Sequence, residues 1–301
     1  MVVRKDYLLG SLNAFRVPVK AKYFAEIFDS NDAVQIIENP EFKNIPKFVL
    51  GDGSNTLFTG DFDGLVLRVG IAGKKIIEEN NGKVLLEAGA GENWHELVSF
   101  AVKNNLGGIE NLALIPGTVG AAPVQNIAAY GQNFSDVFDS LEAFDFKTGK
   151  VKRFNAEACE FGYRNSIFKK NKGRYIVFTV RLRLSKNSEL ETSYYQTGIS
   201  HNSLKEEIQK IAAGPHTLKN VYDAVINIRK RKLPDASLVP TAGSFFLNPA
   251  VSREKFEELK KNIPDLQCYP ADQLRYKNPE EVYFGEKDLV RVAAGRLIEK
   301  L

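Results

Sequence analysis

Five short apolar runs, each bounded by turn-forming residues, set the rhythm of the chain: KFVLGDG, GLVLRVG and KVLLEAGAG, then LEAFDFKTGK and RYIVFTVRLRL. Their length and their β-branched and aromatic content predict strands. Two longer stretches change to helical spacing. In NWHELVSFAVKNN, Leu97, Val98, Ala101 and Val102 share one face, and Asn93 stands where an N-cap belongs. In TLKNVYDAVINIRKRK, Val221, Ala224, Val225 and Ile228 repeat the pattern, and the closing cations suit a helix C-terminus. The final VRVAAGRLIEKL also reads as helix, but it stops in mid-run with no Gly, Asn or Pro to close it. We therefore expect a longer chain to have been intended. Strands and helices alternate irregularly, which predicts α+β subdomains and not a doubly wound sheet. No internal repeat interrupts this order. With 301 residues the chain is long enough for two or three domains. A boundary is expected near KLPDASLVPTAG, where prolines and small residues follow a helix.

Composition narrows the function classes. Hydrophobic residues make up 44% and charged residues 26%, an ordinary globular balance. The net charge of +4 suits an anionic small ligand and is too weak to argue for nucleic acid. Cys159 and Cys268 form no CxxC, so neither a disulfide framework nor a zinc site is expected. His95, His201 and His216 lack HExxH spacing and read as surface or capping residues, leaving no metal site. The N-terminus has no apolar signal region and no run reaches eighteen apolar residues, so a cytoplasmic protein without membrane insertion is the default.

The sequence lacks GxxxxGK[ST] and GxSxG, which argues against a P-loop and a nucleophile elbow. GDGSNT and GAGENW each supply GxG after a strand but miss the third glycine of a dinucleotide fingerprint. LGDGSNTLF, with Gly51, Gly53, Ser54, Asn55 and Thr56, is either an anion-binding nest of backbone amides or a plain β-turn. IPGTVGAAPVQNIAAYG (115–131) has no charge, with Gly117 and Gly120 ahead of Gln125 and Asn126. It is either a structural loop under something bulky or a bare backbone that a ligand approaches. In FGYRNSIFK, Arg164 sits among aromatics, where a guanidinium needs an anionic partner: a structural ion pair or a ligand. In TAGSFFLNP, Ser244 is either an ordinary hydrogen-bonding group or a proton donor in a water-poor pocket, with Asn248 four positions on.

Taken in order, LGDGSNTLF, GAGENWHELV, GGIENLALIPGTVGAAPVQNIAAYG, FGYRNSIFK, KLPD and AGSFFLNP resemble the UDP-N-acetylenolpyruvoylglucosamine reductases, from about SLNAF to VAAGRLIE. The resemblance implies a two-subdomain FAD-binding fold of the vanillyl-alcohol-oxidase-like type plus a substrate-binding domain. Residues 1–70 and 71–232 would be the FAD-binding subdomains, and 233–301 an incomplete substrate-binding domain. It implies FAD as cofactor, NADPH as reductant and a UDP-sugar enolpyruvyl ether as small-molecule substrate. The product would be UDP-N-acetylmuramate, for peptidoglycan and hence cell-wall synthesis. By the same resemblance, Gly51, Gly53, Ser54, Asn55 and Thr56 with Gly117, Gly120, Gln125 and Asn126 would meet the cofactor. Arg164 would stabilise charge on the substrate carboxylate and Ser244 would protonate the neighbouring carbon. Asn248 would lie near the substrate. Lys232 would meet its phosphates, or be a solvated member of RKRK. Tyr194, or its neighbour Tyr195, would lie on the loop that one class of the family folds over the substrate. The family supplies a glutamate from beyond the AAG-LI segment, and Glu299 does not match it by motif. Another flavin oxidoreductase on this fold, or a noncatalytic flavin-binding form, are the competing readings. The sequence is silent on oligomeric state.

Overall fold

Strand β1 (Val3–Leu8) pairs antiparallel with β2 (Lys20–Ile27), and β2 runs parallel to β4 (Phe62–Val69), which runs parallel to β3 (Lys47–Leu50). The resulting sheet has the order β1-β2-β4-β3 in the computed structural model, which describes residues 1–186, 202–214, 216–235, 238–241, 243–271 and 288–301. The period-2 alternation of side chains loads both faces. Tyr23, Ala25, Ile27, Leu65 and Leu67 pack with helix α1 (Ser30–Glu38) and with Phe144, Ile176 and Phe178 of a second sheet. Phe24, Leu50 and Val66 pack on the other side with Leu9 and Phe58.

The second sheet is antiparallel and larger. Its order is β8 (Lys150–Phe154), β7 (Phe138–Asp145), β9 (Tyr175–Lys186), β6 (Lys83–Gly89), β5 (Lys74–Asn80), with a two-residue strand, Leu106–Gly107, beside β9. Three helices bear on its core: α2 (Trp94–Lys103), α3 (Asn202–Ile211) and α4 (Leu218–Lys232). The apolar positions expected from helical spacing are the ones buried here, with Leu97, Val98, Ala101, Val221, Ala224, Val225 and Ile228 each at 0% exposure. Asn93 caps α2 as its position predicts, its Oδ1 accepting from the Glu96 amide at 3.1 Å. The mixture of a partly parallel sheet with an antiparallel one, helices gathered on the latter, is an α+β architecture.

A third sheet closes the chain: β10 (Ala250–Ser252), β12 (Leu289–Val292) and β11 (Cys268–Pro270), all antiparallel in that order, with α5 (Arg253–Asn262). Here the expected helix over VRVAAGRLIEKL is corrected. Only Ala294–Ile298 (α6) is helical, and Val290–Arg291–Val292 is strand. Val290 and Val292 point the same way into a small core with Phe256 and Leu266, while Arg291 points the other way and lies 4.1 Å over the Tyr163 ring. Two β-branched residues flanking one long polar residue satisfy either period over so short a run, and strand pairing decides between them.

Candidate cofactor and active site

Between the first two sheets lies a cavity of about 340 Å³, within the range of small-ligand sites. Three small-residue segments form its walls. The turn after β3 contributes Gly51, Gly53, Ser54, Asn55 and Thr56. The end of β6 and the start of α2 contribute Ala90 and Trp94, and the 115–131 loop contributes Gly117, Gly120 and Gln125. Phe168, Lys169, Lys172 and Tyr175 close the remaining side. The structure thus brings together every expected cofactor residue except Asn126.

Backbone bonds dock the 115–131 loop onto the end of β6. The Val119 amide donates to Glu92 O at 2.8 Å, the Gly120 amide to Ala90 O at 2.9 Å, and the Trp94 amide to Gly117 O at 3.0 Å. Glu92 is itself held by Lys74 and by the Gly73 amide at 2.6 Å. The turn after β3 is tied to the same loop from the other side. Asn55 Nδ2 donates to Gln125 Oε1 at 2.9 Å, and Ser54 Oγ to Pro116 O at 3.3 Å. His95 stacks on Tyr222 and accepts from the Leu114 amide at 3.2 Å, bracing the loop where it starts. Burial lowers the pKa of that imidazole, with Lys230 and Arg229 acting the same way against Glu96.

The glycines act differently from what their motifs suggest. A Cβ on Gly120 would lie 2.6 Å from the Ala90 Cβ, so that glycine lets the loop reach the strand end. Gly53, at φ 64°, would strike the Leu12 carbonyl at 2.1 Å, so it admits the N-terminal segment. Small residues are needed by chain packing, and the backbone they leave bare faces the cavity.

Asn126 turns away from the cavity. It is 1% exposed, donates to Gly162 O at 3.3 Å and accepts from the Ser135 amide at 3.0 Å. Its place is the seam between the 115–131 loop and the 161–169 segment. Arg164 lies on the same seam, donating through Nη1 to Asn126 O at 3.3 Å and through Nη2 to Ala128 O at 3.0 Å. Ser166 Oγ adds a bond of 2.6 Å to Val124 O. Arg164 has no carboxylate partner among the described residues, and burial pulls its pKa below the usual arginine value. Among the described residues, backbone carbonyls and not a carboxylate orient its charge.

The residues expected around the substrate are not gathered with the cofactor set. Ser244 is exposed, between Gly243 and the exposed Phe245 and Phe246. Asn248 Oδ1 accepts from the Ala294 amide at 3.0 Å, and its carbonyl accepts from Arg291 Nη1 at 3.1 Å, so it joins β10 to α6. Lys232 ends α4 in solvent. Tyr194 and Tyr195 lie outside the described residues. Arg291, stacked on Tyr163 next to Arg164, connects the third sheet to the 161–169 segment.

The cavity fits FAD in its donor chemistry. Among the described residues, the amides of Gly53, Ser54 and Asn55 donate to no protein acceptor, and Lys169 and Lys172 add positive charge on the wall. Unengaged amides and the positive charge of the wall suit a diphosphate, and the half-buried Tyr175 offers ring surface. Asp52 stands against this trend. Burial raises its carboxyl pKa, with Arg68 opposing. Sequence reasoning missed Asp52, Lys169 and Lys172, although Asp52 lies inside LGDGSNTLF and Lys169 ends FGYRNSIFK. Among the described residues no cluster of potential metal ligands occurs, and no helix is long and apolar enough to cross a membrane.

Comparison with known proteins agrees with this geometry. Residues 21–155 match the FAD binding domain family. The UDP-N-acetylenolpyruvoylglucosamine reductase of Amoebophilus asiaticus is 42% identical over 89% of this chain and 78% of its own length. That of Burkholderia cenocepacia is 41% identical over 98% and 79%, respectively. In structure, the chain resembles the UDP-N-acetylenolpyruvylglucosamine reductase of Thermus caldophilus, with a TM-score of 0.61 at 23% identity over 83% of this chain and 76% of that one, a likeness of fold. The extent of the two sequence matches decides the family: the chain belongs to the UDP-N-acetylenolpyruvoylglucosamine reductases.

Proposed function

We propose that the chain is an NADPH-dependent flavoprotein oxidoreductase that reduces UDP-N-acetylglucosamine enolpyruvate to UDP-N-acetylmuramate, with FAD in the cavity between its first two sheets. The observation that carries the reading is the convergence of three bare-backbone segments on one cavity whose wall continues into the segment bearing Arg164. FAD, when bound, supplies the two-electron transfer between the nicotinamide and the enolpyruvyl group. The three segments hold and orient it, with residues 51–56 and Lys172 at its diphosphate. Saturating the enolpyruvyl double bond builds negative charge that is stable only when shared with the adjacent carboxylate. Arg164, oriented by two carbonyls and without a carboxylate partner among the described residues, meets that charge as it develops.

Ser244 gives its hydroxyl proton to the carbon bearing the carboxylate. A neutral hydroxyl is a weak acid, so position and the basicity of that carbon make it competent. Ser244 is exposed here, and the role requires the third sheet and its loops to shield it when substrate is bound. Lys232 meets the phosphates of the substrate, and Tyr194 contacts the substrate. Asn248 keeps the polar groups of β10 and α6 in place beside it. The same reading divides the chain at 70 and 232 into two cofactor subdomains and a substrate part. It places the protein in the cytoplasm, in the peptidoglycan precursor synthesis on which cell shape and division depend.

The test is turnover. Loss of nicotinamide absorbance that needs the enolpyruvyl nucleotide, with UDP-N-acetylmuramate found by mass spectrometry, supports the reading. Oxidation of NADPH at the same rate without that nucleotide would point to another flavin oxidoreductase.

A further inference from the structure

Lys169 touches both halves of the site. The residue lines the cavity enclosed by the cofactor segments, and its Nζ donates to the Arg164 carbonyl oxygen at 2.9 Å. That carbonyl belongs to a tight turn. The Gly162 amide bonds Asn165 O at 3.0 Å and the Asn165 amide bonds Gly162 O at 3.3 Å, leaving Tyr163 and Arg164 at the tip. Arg164 has a φ of 52°, a left-handed conformation that a long side chain adopts only where its surroundings impose it. Lys169 reaches the tip from the short helix Ile167–Lys170, whose N-cap Ser166 is itself bonded to the cavity loop at Val124 O. No carboxylate pairs with Lys169 among the described residues. Burial pulls its ammonium below the ordinary lysine range, and Arg164 and Lys172 act in the same direction. A desolvated ammonium beside another cation is costly, so its bond to the Arg164 carbonyl is a specific arrangement and not a solvated charge.

We propose that Lys169 is the positioning residue of Arg164, pinning the backbone of the turn that carries the guanidinium from within the wall of the cofactor cavity. The proposal rests on the reading that Arg164 meets the substrate carboxylate. It makes one side chain common to the two ligand sites, so that the cavity wall and the turn cannot shift independently.

Lys169→Met keeps the length and removes the donor, and Lys169→Arg keeps a cation. Hydrogen exchange on the apoproteins reads the turn without chemistry. The amides of residues 162–166 should exchange about tenfold faster in Lys169→Met and near the wild-type rate in Lys169→Arg. In the FAD-loaded proteins, reduction of Lys169→Met by NADPH should lose less rate than its reoxidation does. Reoxidation by the enolpyruvyl nucleotide should slow by about one to two powers of ten at saturating nucleotide, the scale of a ~1 Å misplacement, and Lys169→Arg should restore most of it. Unchanged exchange over 162–166 in Lys169→Met would overturn the proposal. So would equal loss in both half-reactions that Lys169→Arg does not repair, which marks a merely structural lysine. If wild-type reduced flavin is not reoxidised by the nucleotide, the functional reading falls, and the exchange comparison still decides what Lys169 holds.

Discussion

Replacing Gly120 by alanine separates two reasons for the bare backbone of the 115–131 loop. A Cβ there would lie 2.6 Å from the Ala90 Cβ, 3.1 Å from the Ala90 carbonyl oxygen and 3.3 Å from its Cα. Ala90 cannot step aside easily: its amide donates to Phe178 O at 2.8 Å, its carbonyl accepts from the Gly120 amide, and it is 1% exposed. Forcing a methyl into such a contact costs about 1–3 kcal/mol. The φ of Gly120 is not in the left-handed range, so alanine also removes unfolded-state freedom, worth about 0.4–1 kcal/mol in the opposite sense. The net expectation is a loss of up to about 2.6 kcal/mol from the apoprotein. Urea unfolding followed by circular dichroism measures it, and the visible flavin spectrum of the purified protein measures occupancy beside it. The displaced loop should carry Gly117 and Gln125 with it, so occupancy should fall as well. Ala90→Gly combined with Gly120→Ala removes the closest contact, that with the Cβ, and the two changes should couple by about 0.5–2 kcal/mol in the restoring direction. An apoprotein as stable as wild type that fails to bind flavin would refute the argument, because glycine would then serve only the approach of the ligand.

Three further substitutions test other parts of the site and frame. Ser244→Ala should leave flavin reduction by NADPH near the wild-type rate and slow reoxidation by the enolpyruvyl nucleotide strongly; equal loss in both steps would remove the proton-donor role. Asn55→Leu breaks the bond to Gln125 across the cavity mouth and should weaken FAD binding by about two- to tenfold, the effect of one net hydrogen bond; unchanged affinity in a flavin titration would take that bridge out of the cofactor site. Asp145 has a fully buried side chain that accepts from Arg174 at 3.0 and 3.1 Å and from Lys152 at 2.7 Å. The Arg174 hydrogen bonds, despite burial, hold its carboxyl far below the usual carboxylate range. Its contribution is therefore fully present above the unfolded carboxylate pKa of about 4 and is lost as the pH falls through the lower folded value. Since Arg174 and Lys152 keep access to water, Asp145→Asn should cost about 1–3 kcal/mol near neutral pH, shrinking on acidification below that carboxylate value; a difference that stays constant with pH in denaturant melts would contradict this.

Much of the frame was legible because local rules and the fold agree. Asn93 is a capping residue ahead of apolar positions spaced for one helix face, and that face is the one buried. The ordered small-residue motifs likewise announced the cavity, since turns that bring strands' ends together need Gly, Ser and Asn wherever they occur. Other features depend on partners far away in sequence. Asn126 sits beside Gln125 in a motif that suggests two ligand-facing amides, yet a left-handed backbone at φ 45° sends it into a seam with Gly162 and Ser135. Nothing local distinguishes the two amides. Arg164 could be read as needing an anion, but its carbonyl partners at 126 and 128 belong to another loop and leave no mark on FGYRNSIFK. The terminal Val290–Arg291–Val292 is undecidable alone, because three residues fit both periods until β10 and β11 supply the edges.

In the proposed function, reducing equivalents pass through a flavin held between the first two sheets to an enolpyruvyl sugar nucleotide held at Arg164. The most direct measurement is the visible flavin absorbance of the FAD-loaded chain under anaerobic conditions, first with NADPH and then with the enolpyruvyl nucleotide, alongside Arg164→Met. The account predicts bleaching by NADPH in both proteins, rapid recovery of absorbance in the wild type, and recovery slowed by about two to three powers of ten in Arg164→Met. Recovery at the same rate in both proteins would contradict it.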